Sequence, residues 1–327
     1  MKRRAFITLL GGAAAWPLAA RAQQPALPVI GFLNPGTPEA GARNAAAFRK
    51  GLGETGFVEG QNVTVDYHWL EGRYDRLAGV LADLVRRPVA VIAVPGFQAA
   101  AFAAKAATTT IPIVFGVAED PVQLGLVASL ARPGSNATGI NSFVQEIGAK
   151  RLRLLHELVP KSVNVAVLVN QANASAAATT LRDVKEAAPT IGVQIQIFNA
   201  STIGEIDAAF ASLAKERADA LFVGPDGFFS SRALQFATLA ASNRIPAAYS
   251  NRDYVAAGGL MSYGTDLPEM FHQAGVYIGN ILKGAKPADL PVTQLTQFEF
   301  AINLQTARTL GIEVPPGLLS IADEVIE

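Results

Sequence analysis

Residues 108–142 read TTTIPIVFGVAEDPVQLGLVASLARPGSNATGINS, and this stretch decides the predicted fold. The run 112–117 has the apolar composition of a strand that is buried on both faces of a sheet. A polar turn follows, then a short helix is expected from Pro121 to about Leu130, and a second strand is expected over 137–143. In an open parallel sheet the turn after the first strand lies at the carboxyl edge, where such folds bind ligands.

The same alternation of strand and helix runs along most of the chain. Apolar strand patterns begin near Val29 and again near Val163, and each of these first strands ends in an asparagine followed by a polar turn. Alternating strands and helices predict parallel sheets with right-handed crossovers. Two such series in 327 residues predict an α/β protein with two doubly wound parallel-sheet lobes, each with its own core.

The C-terminal third predicts that the chain passes between the lobes more than once. A strand between glycines near Met261 precedes a long helix pattern over 267–282, and alternating residues near Phe298 indicate another strand. These crossings predict a multi-strand hinge, with strands at about 138–143, 260–264 and 295–301. The predicted first lobe is 23–141 plus about 264–294, and the predicted second lobe is 142–263 plus about 295–327.

Charge is unevenly distributed between the N-terminal segment and the rest of the chain. The sequence has 27 basic and 27 acidic residues, but residues 1–22 contain Lys2, Arg3, Arg4 and Arg21 and no acid. Without those four, 23 basic residues stand against 27 acidic ones, which is a net charge of −4. A mildly acidic chain lacks the general electrostatic footprint of a nucleic-acid-binding protein.

Residues 1–22 have the pattern of an export signal. The basic start precedes an apolar run over 5–20, and Ala20-Arg21-Ala22 is a small-x-small cleavage pattern. We therefore predict cleavage after Ala22 and a location in a bacterial periplasm. The segment from Arg3 to Ile7 also resembles the twin-arginine signature, and an ordinary secretory signal that happens to hold two arginines stays open.

The sequence contains no cysteine, which excludes disulfides, thiolate metal sites and a cysteine nucleophile. It also excludes a lipidated N-terminal cysteine, so we expect no membrane anchor. His68, His156 and His272 are far apart and show no metal-binding spacing. No nucleophile elbow or phosphate-binding loop occurs. We expect no catalytic residue, no metal and no cofactor.

Five segments resemble one known family and occur in that family's order along the chain. They are GLGETGFVEGQN (51–62), DPV through ARPG (120–134), GAKRL (148–152), AAGGLMSYG (256–264) and LKGAKPADLP (282–291). In these segments the chain resembles the periplasmic substrate-binding component of ABC transporters, in the subfamily that includes tryptophan-binding proteins.

The resemblance implies the type I periplasmic-binding fold, in which two lobes close on a small molecule. It also implies that the molecule is handed to a membrane permease driven by a separate ATPase; we expect the receptor to be a monomer. Two turns depart from the family pattern. Gly96-Phe97-Gln98 stands where many members have a small or proline-containing turn, and Ser250-Asn251 stands where a tryptophan is common. Because both turns are expected to face the cleft, the ligand's identity stays open.

The candidate ligand-binding residues lie at or near the ends of predicted strands, at the carboxyl edges of both sheets. They are Thr37, Phe97, Gln98, Glu119, Asp120, Asn141 and Phe143 in the first lobe or its crossing strand, and Asn170, Asn173, Asp226, Phe228, Asn251 and Tyr263 in the second. Helix N-termini in the cleft suit a ligand carboxylate, Glu119 and Asp120 suit an ammonium group, and aromatic rings suit a flat or apolar ligand.

Several of these residues also have purely structural interpretations. Thr37, Asp120, Asn170 and Asn173 could be helix caps, and Asp226-Gly227 could be a turn. Of the adjacent pair Phe228 and Phe229, one is expected to belong to the lobe core.

The predicted function is capture of a small carboxylate-bearing ligand, an amino acid or an aromatic or organic acid, by closure of the hinge. Two alternatives stay open. One is an enzyme on a two-lobed α/β scaffold with Glu119, Asp120 or Asp226 as acid or base. The other is a cytoplasmic regulator that shares the fold and carries a nucleic-acid-binding head. The export signal and the lack of a basic N-terminal helix-turn-helix argue against the regulator.

Overall fold

The computed structural model describes residues 27–142 and 147–327. The predicted export signal, its cleavage after Ala22 and the candidate residue Phe143 lie outside the described residues. The strands are β1 Val29–Asn34, β2 Thr64–Trp69, β3 Val91–Val94, β4 Ile113–Val117, β5 Ala137–Asn141, β6 Asn164–Val169, β7 Gln194–Asn199, β8 Ala220–Val223, β9 Ala247–Tyr249, β10 Met261–Thr265, β11 Thr293–Gln294, β12 Phe298–Asn303 and β13 Glu324–Ile326.

The α-helices alternate with these strands. They are α1 Ala42–Glu54, α2 Leu77–Arg86, α3 Gln98–Ala107, α4 Ile147–Leu158, α5 Ala174–Ile191, α6 Ile203–Glu216, α7 Gly227–Ser230, α8 Ala233–Ser242, α9 Arg252–Ala256, α10 Leu267–Leu282, α11 Leu304–Leu310 and α12 Pro316–Ile321. Short 3₁₀ turns span Tyr74–Arg76 and Pro287–Asp289. None of the helices in the described part of the chain is long and apolar enough to cross a membrane.

Two separate sheets organise the chain. The first has the order β11-β5-β4-β3-β1-β2 with every pairing parallel. The second has the order β13-β12-β10-β9-β8-β6-β7, and only the β10–β12 pairing is antiparallel. We call each sheet with its packed helices the first lobe and the second lobe. The predicted fold class, α/β with two doubly wound parallel-sheet lobes, is confirmed.

Apolar runs in the sequence correspond to strands that are covered on both faces. In β4, Ile113 and Phe115 belong to one core of the first lobe, while Val114 belongs to the other. In β6, Val165 and Val167 lie in one core of the second lobe, and Ala166 and Leu168 lie in the opposite one. Since neither face is left to solvent, the strands show no polar alternation.

At three points in the described part of the chain, consecutive elements belong to different lobes. β5 of the first sheet precedes α4 of the second lobe, and β10 of the second sheet precedes α10, which packs on α1 of the first lobe. β11 of the first sheet then precedes β12 of the second. The strand expected over 137–143 is described as β5, which ends at Asn141.

The helix predicted from Pro121 to about Leu130 was wrong, because this segment forms turns. The Leu124 N–H donates to the Asp120 carbonyl at 2.9 Å, which closes one helical turn. Gly125 then adopts a left-handed φ of 70° and ends the turn. Leu126 and the residue after it enter the core of the first lobe instead of continuing a surface helix.

Tyr67 on β2 predicts a loss of stability at alkaline pH. Burial, together with the nearby Glu59 carboxylate, raises the pKa of Tyr67 to about 12. In the unfolded chain the Tyr67 hydroxyl would lose its proton at about pH 10. Folded and unfolded states therefore differ in bound protons between about pH 10 and 12, and the free energy of unfolding should fall across that window as pH rises. Below the window the contribution is fully present.

Denaturant unfolding of the wild type and Tyr67→Phe at closely spaced pH values checks this prediction. The variant should lose less stability across the window. Burial also raises the pKa of Tyr249, so part of the slope should remain in the variant. If the free energy of unfolding fell equally steeply with pH in the two proteins, Tyr67 would contribute nothing to the loss of stability.

Candidate ligand-binding cleft

A cleft of about 240 Å³ lies between the lobes, at the carboxyl ends of the strands of both sheets. The turns after β1, β3 and β4 face it from the first lobe, and the turns after β6, β8 and β9 face it from the second. Its lining includes Asn34, Gly36, Tyr74, Phe97, Gln98, Val117, Asn173, Asp226, Ser230, Asn251, Asp253, Met270 and Phe271. This placement follows from parallel strands that all end at the same edge of their sheet.

Five predicted site residues line the cleft: Phe97, Gln98, Asn173, Asp226 and Asn251. Phe97 is buried, and its ring packs edge-on against Tyr74 with centroids 5.6 Å apart. Asn251 caps α9 by accepting the Asp253 N–H at 3.1 Å, and its Nδ2 donates to Ser230 Oγ at 3.0 Å. Asn251 therefore both caps α9 and lines the cleft.

Glu119 lies at the rim of the cleft and contacts the opposite lobe. Its Oε1 accepts a hydrogen bond from Thr179 on α5. Its Oε2 accepts one from Gln98 Nε2 at 3.3 Å, and that same nitrogen donates to Ser175 Oγ at 2.8 Å. Glu119 and Gln98 thus join the first lobe to α5 of the second.

Thr37 and Asp120 stabilise local turns and do not line the cleft. Thr37 Oγ1 accepts the Ala40 N–H at 3.3 Å. Asp120 Oδ1 accepts the Val122 N–H at 2.8 Å. The N-cap of α1 is Gly41 and no helix follows Asp120, so these two side chains close turns and the helix-cap interpretation was wrong for both.

Asn141 and Asn170 are buried just behind the lining. Asn141 Nδ2 donates to the Val117 carbonyl at 3.1 Å and to the Glu119 carbonyl at 2.7 Å, which fixes the turn after β4. Asn170 Nδ2 donates to Asp226 Oδ1 at 3.0 Å. These two amides position lining groups instead of facing the cleft.

The remaining aromatic candidates lie away from the lining. Phe228 is 5% exposed and packs against Gly72 of the first lobe, and Phe229 is fully buried in the second-lobe core. The expectation that one of this adjacent pair belongs to the lobe core agrees with the structure, because both rings lie in the second-lobe core and Phe228 also contacts Gly72 of the first lobe. Tyr263 on β10 packs near Phe298, with ring centroids 6.1 Å apart, beside a separate surface cavity.

Asp226 is the most heavily hydrogen-bonded side chain in the cleft. Its Oδ1 accepts from Asn170 Nδ2 at 3.0 Å and from the Phe229 N–H at 3.1 Å. Its Oδ2 accepts from the Tyr74 hydroxyl at 2.9 Å and from Asn173 Nδ2 at 3.1 Å. Tyr74 belongs to the first lobe, so one of these four hydrogen bonds crosses the cleft. Burial, and secondarily the Asp226 charge, raises the pKa of the Tyr74 hydroxyl, which therefore stays a donor.

Sequence reasoning missed Tyr74 and Asp253, which both line the cleft. Tyr74 starts a 3₁₀ turn after β2 and carries no strand-end or motif signal. Asp253 lies two residues after the predicted Asn251, on the first turn of α9, so extending the search past β9 would have found it. Asp253 faces Arg43 of α1 at 3.7 Å, and burial raises the pKa of its carboxyl group against the opposing effect of Arg43.

The helices that begin at the cleft differ in how their N-termini are capped. The side chains of Asp226, Asn251 and Asp266 cap α7, α9 and α10. Helix α3, which begins at Gln98, has no side-chain cap. Its first backbone N–H groups have no intrahelical acceptor, so they are available to an anion. Among the residues that the structure describes, no group of three or more histidine, aspartate or glutamate side chains is placed to hold a metal ion.

The family model for ABC transporter substrate binding proteins matches residues 39–326. The chain belongs to this family. Members are substrate-binding proteins and not enzymes. This substrate-binding protein is 28% identical over 271 residues to a tyrosine-binding protein of Clostridioides difficile (strain R20291), which covers 81% of this chain and 76% of the relative.

Two solved structures bear on the arrangement of the lobes. An ABC domain from Streptococcus pneumonia in complex with L-Trp has a TM-score of 0.81 and 25% identity, covering 92% of this chain and 100% of that one. The ligand-free, open structure of a substrate-binding protein with adhesive properties from Clostridium difficile has a TM-score of 0.61 and 25% identity, covering 92% and 99%. The type I periplasmic-binding fold is confirmed. The higher score with the complex agrees with the contacts that join the lobes of this substrate-binding protein.

Proposed function

We propose that this substrate-binding protein is the periplasmic receptor of an ABC importer and captures a small carboxylate-bearing ligand by closing its lobes. The ligand is an amino acid or an aromatic or organic acid. The observation that carries the proposal is the cleft of about 240 Å³, across which Tyr74 contacts Asp226 and Gln98 contacts Ser175. Ligand pockets typically measure roughly 300–1,000 Å³, so this smaller space suits one small molecule.

The chemistry of the lining supports such a ligand. The uncapped N-terminus of α3 offers backbone N–H groups to a carboxylate. Phe97, Val117, Met270 and Phe271 supply apolar contacts for the rest of the molecule. The tyrosine-binding relative and the L-Trp complex support an amino acid within this class.

The remaining parts of the proposal rest on the sequence and on family membership. The receptor would be exported, with cleavage after Ala22, and would act as a monomer that delivers its ligand to a permease coupled to a separate ATPase. The enzyme alternative gains no support from the cleft. Asp226, its buried candidate acid or base, already accepts four hydrogen bonds.

Mass spectrometry of small molecules released from the purified protein, followed by isothermal titration, tests the proposal. The titration panel comprises the twenty amino acids, benzoate, 3-phenylpropanoate, 3-(4-hydroxyphenyl)propanoate, indole-3-propanoate and short organic acids. We expect saturable one-to-one binding with a Kd of about 1 μM, which corresponds to about −8 kcal/mol. Absence of saturable binding across this panel would contradict the proposed function.

A further inference from the structure

The charges that line the cleft are all of one sign. Asp226 and Asp253 line it, and no lysine, arginine or histidine does so among residues 27–142 and 147–327. A carboxylate that lines a cleft attracts a cationic partner; Asp226 is buried, whereas the side chain of Asp253 is 39% exposed, so water screens part of the attraction there. The two carboxylates differ, however, in their remaining capacity to accept hydrogen bonds.

Asp226 has no acceptor capacity left. A carboxylate offers about four lone-pair directions, two on each oxygen. Asn170 Nδ2 and the Phe229 N–H occupy Oδ1, while the Tyr74 hydroxyl and Asn173 Nδ2 occupy Oδ2. A ligand ammonium could reach Asp226 only by displacing one of these buried donors, which would leave that donor unpaired.

Asp253 is in the opposite situation. Its nearest cation is Arg43 Nη1 at 3.7 Å, which is too long for a hydrogen bond. In the described part of the chain no donor makes a hydrogen bond to its carboxylate oxygens, although its own N–H is held by Asn251 Oδ1 at 3.1 Å. The backbone of Asp253 is therefore fixed by the cap of α9, while its side chain keeps open acceptor positions at the cleft.

We propose that Asp253 binds a protonated amine of the ligand, and that Asp226 is a positioning residue that holds the closed lobes together through Tyr74. This inference rests on the proposed function and narrows its ligand class. The ligand is then an amino acid, with its carboxylate at the N-terminus of α3 and its amine at Asp253, and not an amine-free acid.

Matched pairs of probes measure recognition of the amine directly. The pairs are L-phenylalanine with 3-phenylpropanoate, L-tyrosine with 3-(4-hydroxyphenyl)propanoate, and L-tryptophan with indole-3-propanoate. In the wild type the amino acid of the best-bound pair should bind about ten- to a hundred-fold more tightly than its amine-free partner, since a charge-assisted hydrogen bond contributes about 1.5–3 kcal/mol.

Three substitutions separate recognition from lobe closure. Asp253→Asn should reduce this ratio to about threefold or less, and it should leave binding of the amine-free acid nearly unchanged. Arg43→Gln removes the facing cation, and Asp226→Asn removes the charge that Tyr74 contacts. Asp226→Asn should weaken the two members of a pair equally and leave their ratio intact, whereas Arg43→Gln should leave the ratio intact or raise it, because Asp253 loses its competing cation. Retained binding of the amine-free acid shows that each variant is folded.

The outcomes distinguish this inference from the function on which it rests. An amine-free acid that binds the wild type as tightly as its amino acid overturns the role of Asp253 and leaves the receptor function standing. The role of Asp253 is also overturned if Asp253→Asn keeps the wild-type preference for the amino acid over its amine-free partner. A loss of that preference in Arg43→Gln as large as in Asp253→Asn overturns it as well. If no probe and no member of the wider panel binds, the receptor function and this inference both fail.

Discussion

Replacing Gly275 with alanine should destabilise the first lobe by about 1–3 kcal/mol, which is the usual cost of forcing extra volume into a close-packed contact. Gly275 lies in α10, and a Cβ added there would overlap the backbone carbonyl of Phe48 in α1. A Cβ at Gly51 of α1 would likewise overlap the carbonyl of His272 in α10. The two helices therefore touch backbone to backbone, and neither site has a flexible side chain that could move aside.

Gly53→Ala is the matched control for this prediction. Gly53 lies in the same helix as Gly51, and nothing lies within 4 Å of an added Cβ. Alanine there should be neutral or should stabilise the protein by up to about 1 kcal/mol, through helix propensity alone. Thermal and denaturant unfolding of the three proteins measures the difference. If Gly275→Ala proved as stable as Gly53→Ala, the described packing of α10 on the first lobe would be wrong.

Tyr74→Phe should weaken ligand binding by about ten- to a hundred-fold without changing which ligand is preferred. The hydroxyl of Tyr74 donates to the buried Asp226 carboxylate at 2.9 Å, and the two residues belong to different lobes. A hydrogen bond to a charged group contributes about 1.5–3 kcal/mol, and each 1.4 kcal/mol corresponds to a tenfold change in Kd. Because this bond joins the two lobes, its loss should appear mainly as faster dissociation.

Tyr67→Phe is the control for Tyr74→Phe. It removes a tyrosine hydroxyl from the same lobe, where the partner is Glu59 and no cleft residue is involved. Stopped-flow dissociation and titration calorimetry should give wild-type values for this variant. An unchanged dissociation rate in Tyr74→Phe would mean that the contact with Asp226 does not hold the lobes closed.

The sequence predicted best where a feature depends on local pattern. The helix pattern over 267–282 corresponds to α10, since an apolar stripe and the Asp266 cap both act within a few residues. Phe97, Gln98, Asn173, Asp226 and Asn251 were predicted to face a cleft because parallel strands end at a common edge. This rule can be applied once the ends of the strands are known, and it does not require the arrangement of the two lobes.

The sequence predicted poorly where a feature depends on contact between distant elements. Phe228 lies in the second-lobe core and also packs against Gly72 of the other lobe, and Tyr74 reaches the cleft from a turn more than a hundred residues away from its partner Asp226. Neither contact produces a periodic pattern of residues in the sequence. The segment after Pro121 was predicted as a helix from its first-turn proline, and the prediction failed because the left-handed backbone of Gly125 ends the helical turn after a single cycle.

The most direct test of lobe closure uses the absence of native cysteines, which allows specific spin labelling at introduced ones. Gln123 and Lys185 are exposed, and they lie in the first and second lobes respectively. We expect ligand addition to Gln123→Cys/Lys185→Cys to shift the measured distance distribution to a shorter and narrower one. A pair within the first lobe, Glu39→Cys/Gln123→Cys, should not change. Ligand that binds by calorimetry yet leaves the interlobe distribution unaltered would contradict capture by closure.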